Sequence, residues 1–193
     1  GKPYGFPSKY EATVVRRIYS GLPDPMTNAS LTPLQDLDGI ITPNGLHYER
    51  HHAGVPQVDP DRHRLVVHGM VNRDMIFTVD EIRQFPSESH IYFMECSGNS
   101  VFTPPYGKTA AEVAGLVSGA LWTGVPLKTI LRHVGLKRSA KWVVAEGADG
   151  AAMTRSLPIK KCLDDVLVAF SQNGERLRPE QGYPIRLFVP GYE

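Results

Sequence analysis

The sequence predicts an α+β fold, on three observations. Short β-patterned runs alternate with short helical ones. The repeating βαβ units of about 30 residues that build a doubly wound sheet are missing. Neither a Gly-x-Gly-x-x-Gly dinucleotide fingerprint nor a Walker loop occurs. At 193 residues the chain is long enough for one compact core.

Residues 1–60 are rich in Pro, Gly, Asn and Asp with little periodicity, and read as an extended arm wrapped on the domain formed by 61–193. Arg64 to His68 reads as a strand and stops at Gly69, and Met75 to Phe77 is a second short strand. Thr78 and Glu81 make a capping-box pattern, so Val79 to Phe85 is a short helix stopped by Pro86. His90 to Glu95 is the next strand. Residues 97–120, with Pro104-Pro105-Tyr106-Gly107 and many small side chains, read as a loop. Pro126 opens an amphipathic helix in which Leu127, Ile130, Leu131 and Val134 recur at helical spacing before Gly135. Lys141 to Glu146 reads as a buried strand, Pro158 to Leu163 as a helix, and Val166 to Ser171 as a strand. Asn173-Gly174 is a turn, and Pro184 to Val189 is a last apolar strand. That strand runs straight into the end of the sequence, so further protein or another chain is expected to complete it.

A net charge of +1 leaves no whole-chain electrostatic footprint for nucleic acid or an anionic membrane. No apolar run reaches the roughly 18 residues of a membrane span. The opening Gly1-Lys2-Pro3-Tyr4-Gly5-Phe6-Pro7 has no apolar signal region, which fits a cytoplasmic protein or a processed one.

Of the two cysteines, Cys96 is the informative one. The run His90 to Glu95 delivers it to a Ser97-Gly98-Asn99 turn, and Cys162 is too far away in a helical context for a Cys-x-x-Cys motif. On the residues alone, Cys96 is either a small buried hydrophobe or a thiolate presented to a metal or substrate. Tyr48-Glu49-Arg50-His51-His52 is the second patch. Its guanidinium, imidazoles and phenol suit an anionic heteroaromatic ligand, although a surface loop with incidental histidines has the same composition. Successive residues of a strand face opposite ways, so His51 and His52 make a poor bidentate metal site. Asp149 and Arg186 read, each alone, as a turn residue and a solvated charge.

Together these patches resemble the sulfite oxidase family of molybdenum enzymes, and within it the molybdenum subunits of bacterial sulfur-oxidising (Sox) systems, the sulfane dehydrogenases. The resemblance is carried by Thr32 to Leu37, Ile41 to Pro56, Glu95-Cys96-Ser97-Gly98-Asn99, Trp122 to Leu127 and Asn173-Gly174-Glu175. It implies a sulfite-oxidase-type molybdopterin-binding domain with a mixed β-sheet, short helices and long loops. Cys96 would be the protein ligand to molybdenum. Tyr48, Glu49, Arg50, His51 and His52 would hold the pterin, and Arg50 would also face an oxyanion substrate. Asp149, Gln181 and Arg186 match further cofactor-binding positions.

Three departures accompany the resemblance. Gln181 stands where the family often has His, and Ser100 where sulfite oxidases carry Arg or Lys. The sequence also stops before a downstream cofactor contact, an active-site tyrosine and a C-terminal dimerisation domain, and so corresponds to about half of such an enzyme.

The resemblance implies a molybdenum-molybdopterin oxidoreductase acting on sulfite or on protein-bound sulfane sulfur. It implies a c-type cytochrome as electron acceptor, a periplasmic location, and an oligomer when full length. No Cys-x-x-Cys-His occurs for a covalent haem in this sequence. Two alternatives stand beside this reading: a truncated, cofactor-free binding module of the same fold, and a Cys/His hydrolase pairing Cys96 with His51 or His52.

Overall fold

The computed structural model describes residues 7–19, 26–100 and 109–192. Its short helices and antiparallel strands are those of an α+β protein. The stretch 1–60 carries more regular structure than its composition predicts. Strands β1 (Arg17–Tyr19), β2 (Ala29–Leu31) and β3 (Glu49–Arg50) form a three-stranded sheet in that order. Each is only two or three residues long, too short to show a period of two.

Strands β4 (Arg64–Val67) and β5 (Met75–Thr78) form a hairpin, and Thr78 caps helix α1 (Val79–Arg83). The Thr78 hydroxyl accepts from Glu81 N at 3.1 Å while the Glu81 carboxylate accepts from Thr78 N at 2.7 Å. This is the reciprocal box the sequence signals. Strand β6 (Glu88–Glu95) then leads to Cys96.

Residues 97–120 are not one loop. Helix α2 (Ala110–Val113) is capped by Thr109, and strand β7 (Val117–Pro126) begins at Val117. The segment Pro104-Pro105-Tyr106-Gly107 lies outside the described residues. The small residues that made this region look like a loop have a packing role. A Cβ on Gly119 would overlap the Ile40 carbonyl oxygen, and further along the same strand, beyond that stretch, one on Gly124 would overlap Val168 O and approach Ala169 Cα to 2.6 Å. Glycine, poor in β-propensity, is what lets neighbouring chain close on this strand.

Helix α3 (Leu127–Val134) buries Leu127, Ile130, Leu131 and Val134 and ends at Gly135 with φ +79°. That left-handed cap is the conformation glycine tolerates best. Among the described residues strands β8 (Trp142–Glu146) and β9 (Thr154–Pro158) pair only with each other, and helix α4 (Ile159–Cys162) follows. The expectation of a buried strand at Lys141 to Glu146 is therefore wrong. Trp142 and Val144 are 62% and 68% exposed, and only the Val143 side of the hairpin packs on the core. An apolar run without interrupting charges reads as buried whether or not its second face is covered.

Strands β10 (Leu167–Gln172), β11 (Glu175–Arg176) and β12 (Arg186–Phe188) complete the main sheet. Its order is β11-β10-β7-β6, with β12 also paired to β10. The Asn173-Gly174 turn joining β10 to β11 has positive φ at both residues, +50° and +80°. The largest core cluster lies among α1, α3, α4 and the two hairpins. A second surrounds Trp122 and Phe188, and a third joins Ala29, Leu31, Tyr48 and Leu116.

Candidate functional site

Cys96 follows the last residue of β6 and stays attached to the residue that precedes β7, its N–H donating to Leu116 O at 2.9 Å. The chain then folds back on itself, with Asn99 N donating to Cys96 O at 2.7 Å and Gly98 N to Cys96 Sγ at 3.4 Å. Asn99 fixes this turn. Its side-chain oxygen accepts from both Gly115 N and Leu116 N at 3.0 Å, and its amide nitrogen donates to the Glu95 carboxylate at 2.8 Å. The half-buried thiol packs beside the cluster that contains Tyr48. Cys162 is fully buried in α4, and burial pushes its thiol pKa up. It is an inert core residue.

The register of the three-stranded sheet sorts the second patch. Ala29 pairs with Arg50 and Ser30 with Glu49. Ala29 and Leu31 pack with Tyr48 on the side of Cys96, so Tyr48 and Arg50 share that side. Glu49 and His51 take the other. There the Glu49 carboxylate meets Arg16 at 2.6 Å, His51 Nε2 at 2.7 Å and the Ser30 hydroxyl at 2.8 Å. The His51 hydrogen bond, then that of Ser30 and the charge of Arg16, hold its pKa below the ordinary carboxylate value against the opposing effect of burial. This cluster ties residue 16 to β3. Among the described residues no histidine hydrogen-bonds Cys96, and the Glu49 partnership occupies His51, so the geometry offers no Cys/His nucleophile pair.

Arg50 directs Nη1 to the carbonyls of Asn28 and His51. His52 is exposed and its pKa is lowered, first by partial burial and then by Arg50 and Arg155, with Asp149 opposing. Asp149 sits in the β8–β9 turn, where its carbonyl accepts from Ala152 N at 3.1 Å. A Cβ on neighbouring Gly150 would stand 3.5 Å from Ala53 Cβ, so the hairpin tip lies against the end of the Tyr48 to His52 segment.

Gln181 is buried and donates from Nε2 to Tyr48 O at 2.7 Å. Its own carbonyl accepts from Arg186 Nη1 at 3.3 Å. The Arg186 guanidinium stands over the Trp122 ring at 5.9 Å, and desolvation lowers its pKa. A guanidinium keeps its charge even so. Burial raises the Tyr48 phenol well above its ordinary value; Arg186 opposes this, while Cys96 and Glu95 add to it. Cys96, Tyr48, Gln181 and Arg186 thus form one connected group, and His52, Arg50 and Asp149 a second at the hairpin tip. Sequence reasoning missed Asn99 and Glu95 as supports of the turn, Arg155 beside His52, Arg16 on Glu49, and His47 next to Tyr48. Asn99 lay inside a quoted motif and could have been found there, whereas Arg16 and Arg155 carry no local signal.

Among the described residues no three His, Cys, Asp or Glu side chains converge as a metal site. A single soft thiol on a rigid turn, with guanidinium and imidazole groups on nearby segments, fits a metal whose other ligands come from an anionic organic cofactor.

Comparison with known proteins shows the family. Residues 52–193 match the oxidoreductase molybdopterin binding domain. The chain is 36% identical over 170 residues to nitrate reductase [NADH] 1 of Nicotiana tabacum, covering 80% of this chain and 19% of that protein. It is 33% identical over 172 residues to nitrate reductase [NADH] of Ulva prolifera, covering 80% and 20%. The crystal structure of the sulfane dehydrogenase SoxCD from Paracoccus pantotrophus superposes with a TM-score of 0.93 at 38% identity, covering 99% of this chain and 50% of that one. The chain therefore spans about a fifth of these nitrate reductases and half of the SoxCD chain it matches.

Proposed function

The chain belongs to the family of oxidoreductase molybdopterin-binding domains, and from that premise we propose that it forms the molybdenum end of an enzyme oxidising a sulfur substrate, sulfane sulfur or sulfite, and passing electrons to a c-type cytochrome. Molybdenum-molybdopterin is the cofactor. The observation that carries the reading is the Cys96 turn, which holds one thiol at a strand end with no side-chain hydrogen-bond partner among the described residues. The likeness of this chain to half of a sulfane dehydrogenase chain supports sulfur as the substrate. A periplasmic setting and assembly into an oligomer go with the same reading.

In this reading Cys96 is the protein ligand to molybdenum. Tyr48, Arg50, His52, Asp149, Gln181 and Arg186 hold the cofactor, with Glu49 and His51 contributing through the position of β3. When bound, the metal supplies two-electron oxygen-atom transfer that no side chain can perform. The chain contributes place and charge. The Asn99 network fixes where the thiol stands, and Gly98 N–H moderates the charge on its sulfur. Gln181 holds the Tyr48 backbone, so the phenol is kept in the wall beside Cys96. The guanidinium groups of Arg50 and Arg186 favour anionic groups of a cofactor or a sulfur oxyanion.

The test is molybdenum analysis and turnover of the complete protein and its Cys96→Ser variant. Wild type should carry one molybdenum per chain and reduce cytochrome c with a sulfur donor, and the variant should lose that activity. Normal turnover by Cys96→Ser removes the ligand assignment. Reduction of nitrate with no sulfur-dependent electron transfer removes the substrate assignment.

A further inference from the structure

We infer that His47, Trp122 and Gln172 enclose an internal site that binds water behind Tyr48. All three side chains are fully buried. The His47 ring meets Trp122 edge to face, with centroids 5.8 Å apart, and Gln172 is the cross-strand partner of Trp122 in the β7–β10 register. Asn44, three residues before His47, donates to the Gln172 backbone carbonyl at 3.0 Å and so brings the His47 segment against the same strand.

Four polar atoms in this group have no hydrogen-bond partner among the described residues: His47 Nε2, Trp122 Nε1, Gln172 Nε2 and Gln172 Oε1. Their chemistry is fixed. His47 Nδ1 lies 3.0 Å from Tyr48 O, and a carbonyl can only accept, so Nδ1 carries the proton and Nε2 is a bare acceptor. Burial keeps the ring neutral, its pKa lowered to about 4. The indole nitrogen only donates, and the amide supplies one donor atom and one acceptor atom. Two acceptors and two donors are the complement of a water molecule, which gives two protons and receives two.

Buried groups left without partners are rare and costly, and polar internal sites with two to four ligands are where proteins retain water. The site has a structural consequence. His47 Nδ1 and Gln181 Nε2 both hold the Tyr48 carbonyl. Water fixing the far side of the His47 ring therefore fixes the backbone that carries Tyr48. This inference does not depend on the cofactor or the substrate.

A crystal structure of the protein at a resolution that shows ordered water, together with the melting temperature of Gln172→Met, tests it. The expected result is density for water within hydrogen-bond distance of His47 Nε2 and Gln172, and a variant whose Tm falls by about 2–4 °C. A direct Gln172–His47 hydrogen bond without water overturns the proposal. So does a dry site in which Gln172→Met raises Tm, because removing truly unpaired polar atoms relieves a penalty. If the variant does not fold, the density alone decides.

Discussion

Asn99 and Glu95 are joined side chain to side chain, amide Nδ2 to carboxylate Oε1 at 2.8 Å, across the turn that holds Cys96. The Asn99 oxygen simultaneously accepts the N–H groups of Gly115 and Leu116. Leucine at 99 would orphan two backbone donors, each at a cost of about 1–3 kcal/mol. Asn99→Leu is expected to lower both Tm and molybdenum content. Asn99→Asp keeps the acceptor but sets a carboxylate against Glu95. Adding Glu95→Gln reverses donor and acceptor and should restore much of the loss. A double variant no better than Asn99→Asp would show that the pair does not position the turn.

Gly119 and Gly124 make a steric prediction. A methyl group at either position enters occupied backbone space, and the neighbours there are carbonyl oxygens and Cα atoms that cannot swing aside. Gly119→Ala and Gly124→Ala should each cost at least the roughly 1–3 kcal/mol of an overpacked core. Gly45→Ala is the control, since its nearest obstacle is an arginine nitrogen at 3.7 Å. Chemical denaturation of the three variants checks the order, and equal stabilities would contradict it.

These glycines also show where the sequence was readable. Helix α3 was legible because four apolar residues at helical spacing between Pro126 and Gly135 have one physical solution. Cys96 was legible because a strand-like run ends in a turn sequence. Strand β7 was not, since Ser118, Gly119, Ala120 and Gly124 are selected by what crosses the strand and not by strand propensity. Trp142 and Val144 misled in the opposite sense, because apolar residues do not reveal whether their face is covered. The pairing of Glu49 with Arg16 joins residues 33 positions apart, and no local pattern encodes it.

That Glu49 cluster titrates. The carboxyl pKa is lowered by His51, Ser30 and Arg16, so its stabilising effect is present above the ordinary carboxylate range and is lost as pH falls through the lowered value. Glu49→Gln should cost roughly 1–3 kcal/mol at pH 7, and wild type and variant should converge once pH falls below that lowered value. A difference in unfolding free energy that stays constant from neutral pH until the carboxyl is protonated would mean that charge contributes nothing there.

His47 predicts a separate acid sensitivity. Its pKa is about 4 in the folded chain against an ordinary 6.5, chiefly because of burial. Between those values the unfolded chain binds a proton that the folded chain refuses, so stability falls as pH drops from 6.5 towards 4 and changes no further below. The depression corresponds to a loss of about 3 kcal/mol. Glu49 contributes only once carboxyls begin to protonate, whereas His52 and His63, whose pKa values are also lowered, act in the same direction from more exposed positions. Replacing His47 by phenylalanine should therefore flatten most of the slope of unfolding free energy between pH 6.5 and 5. An unchanged slope in that variant would place the sensitivity in the exposed histidines instead.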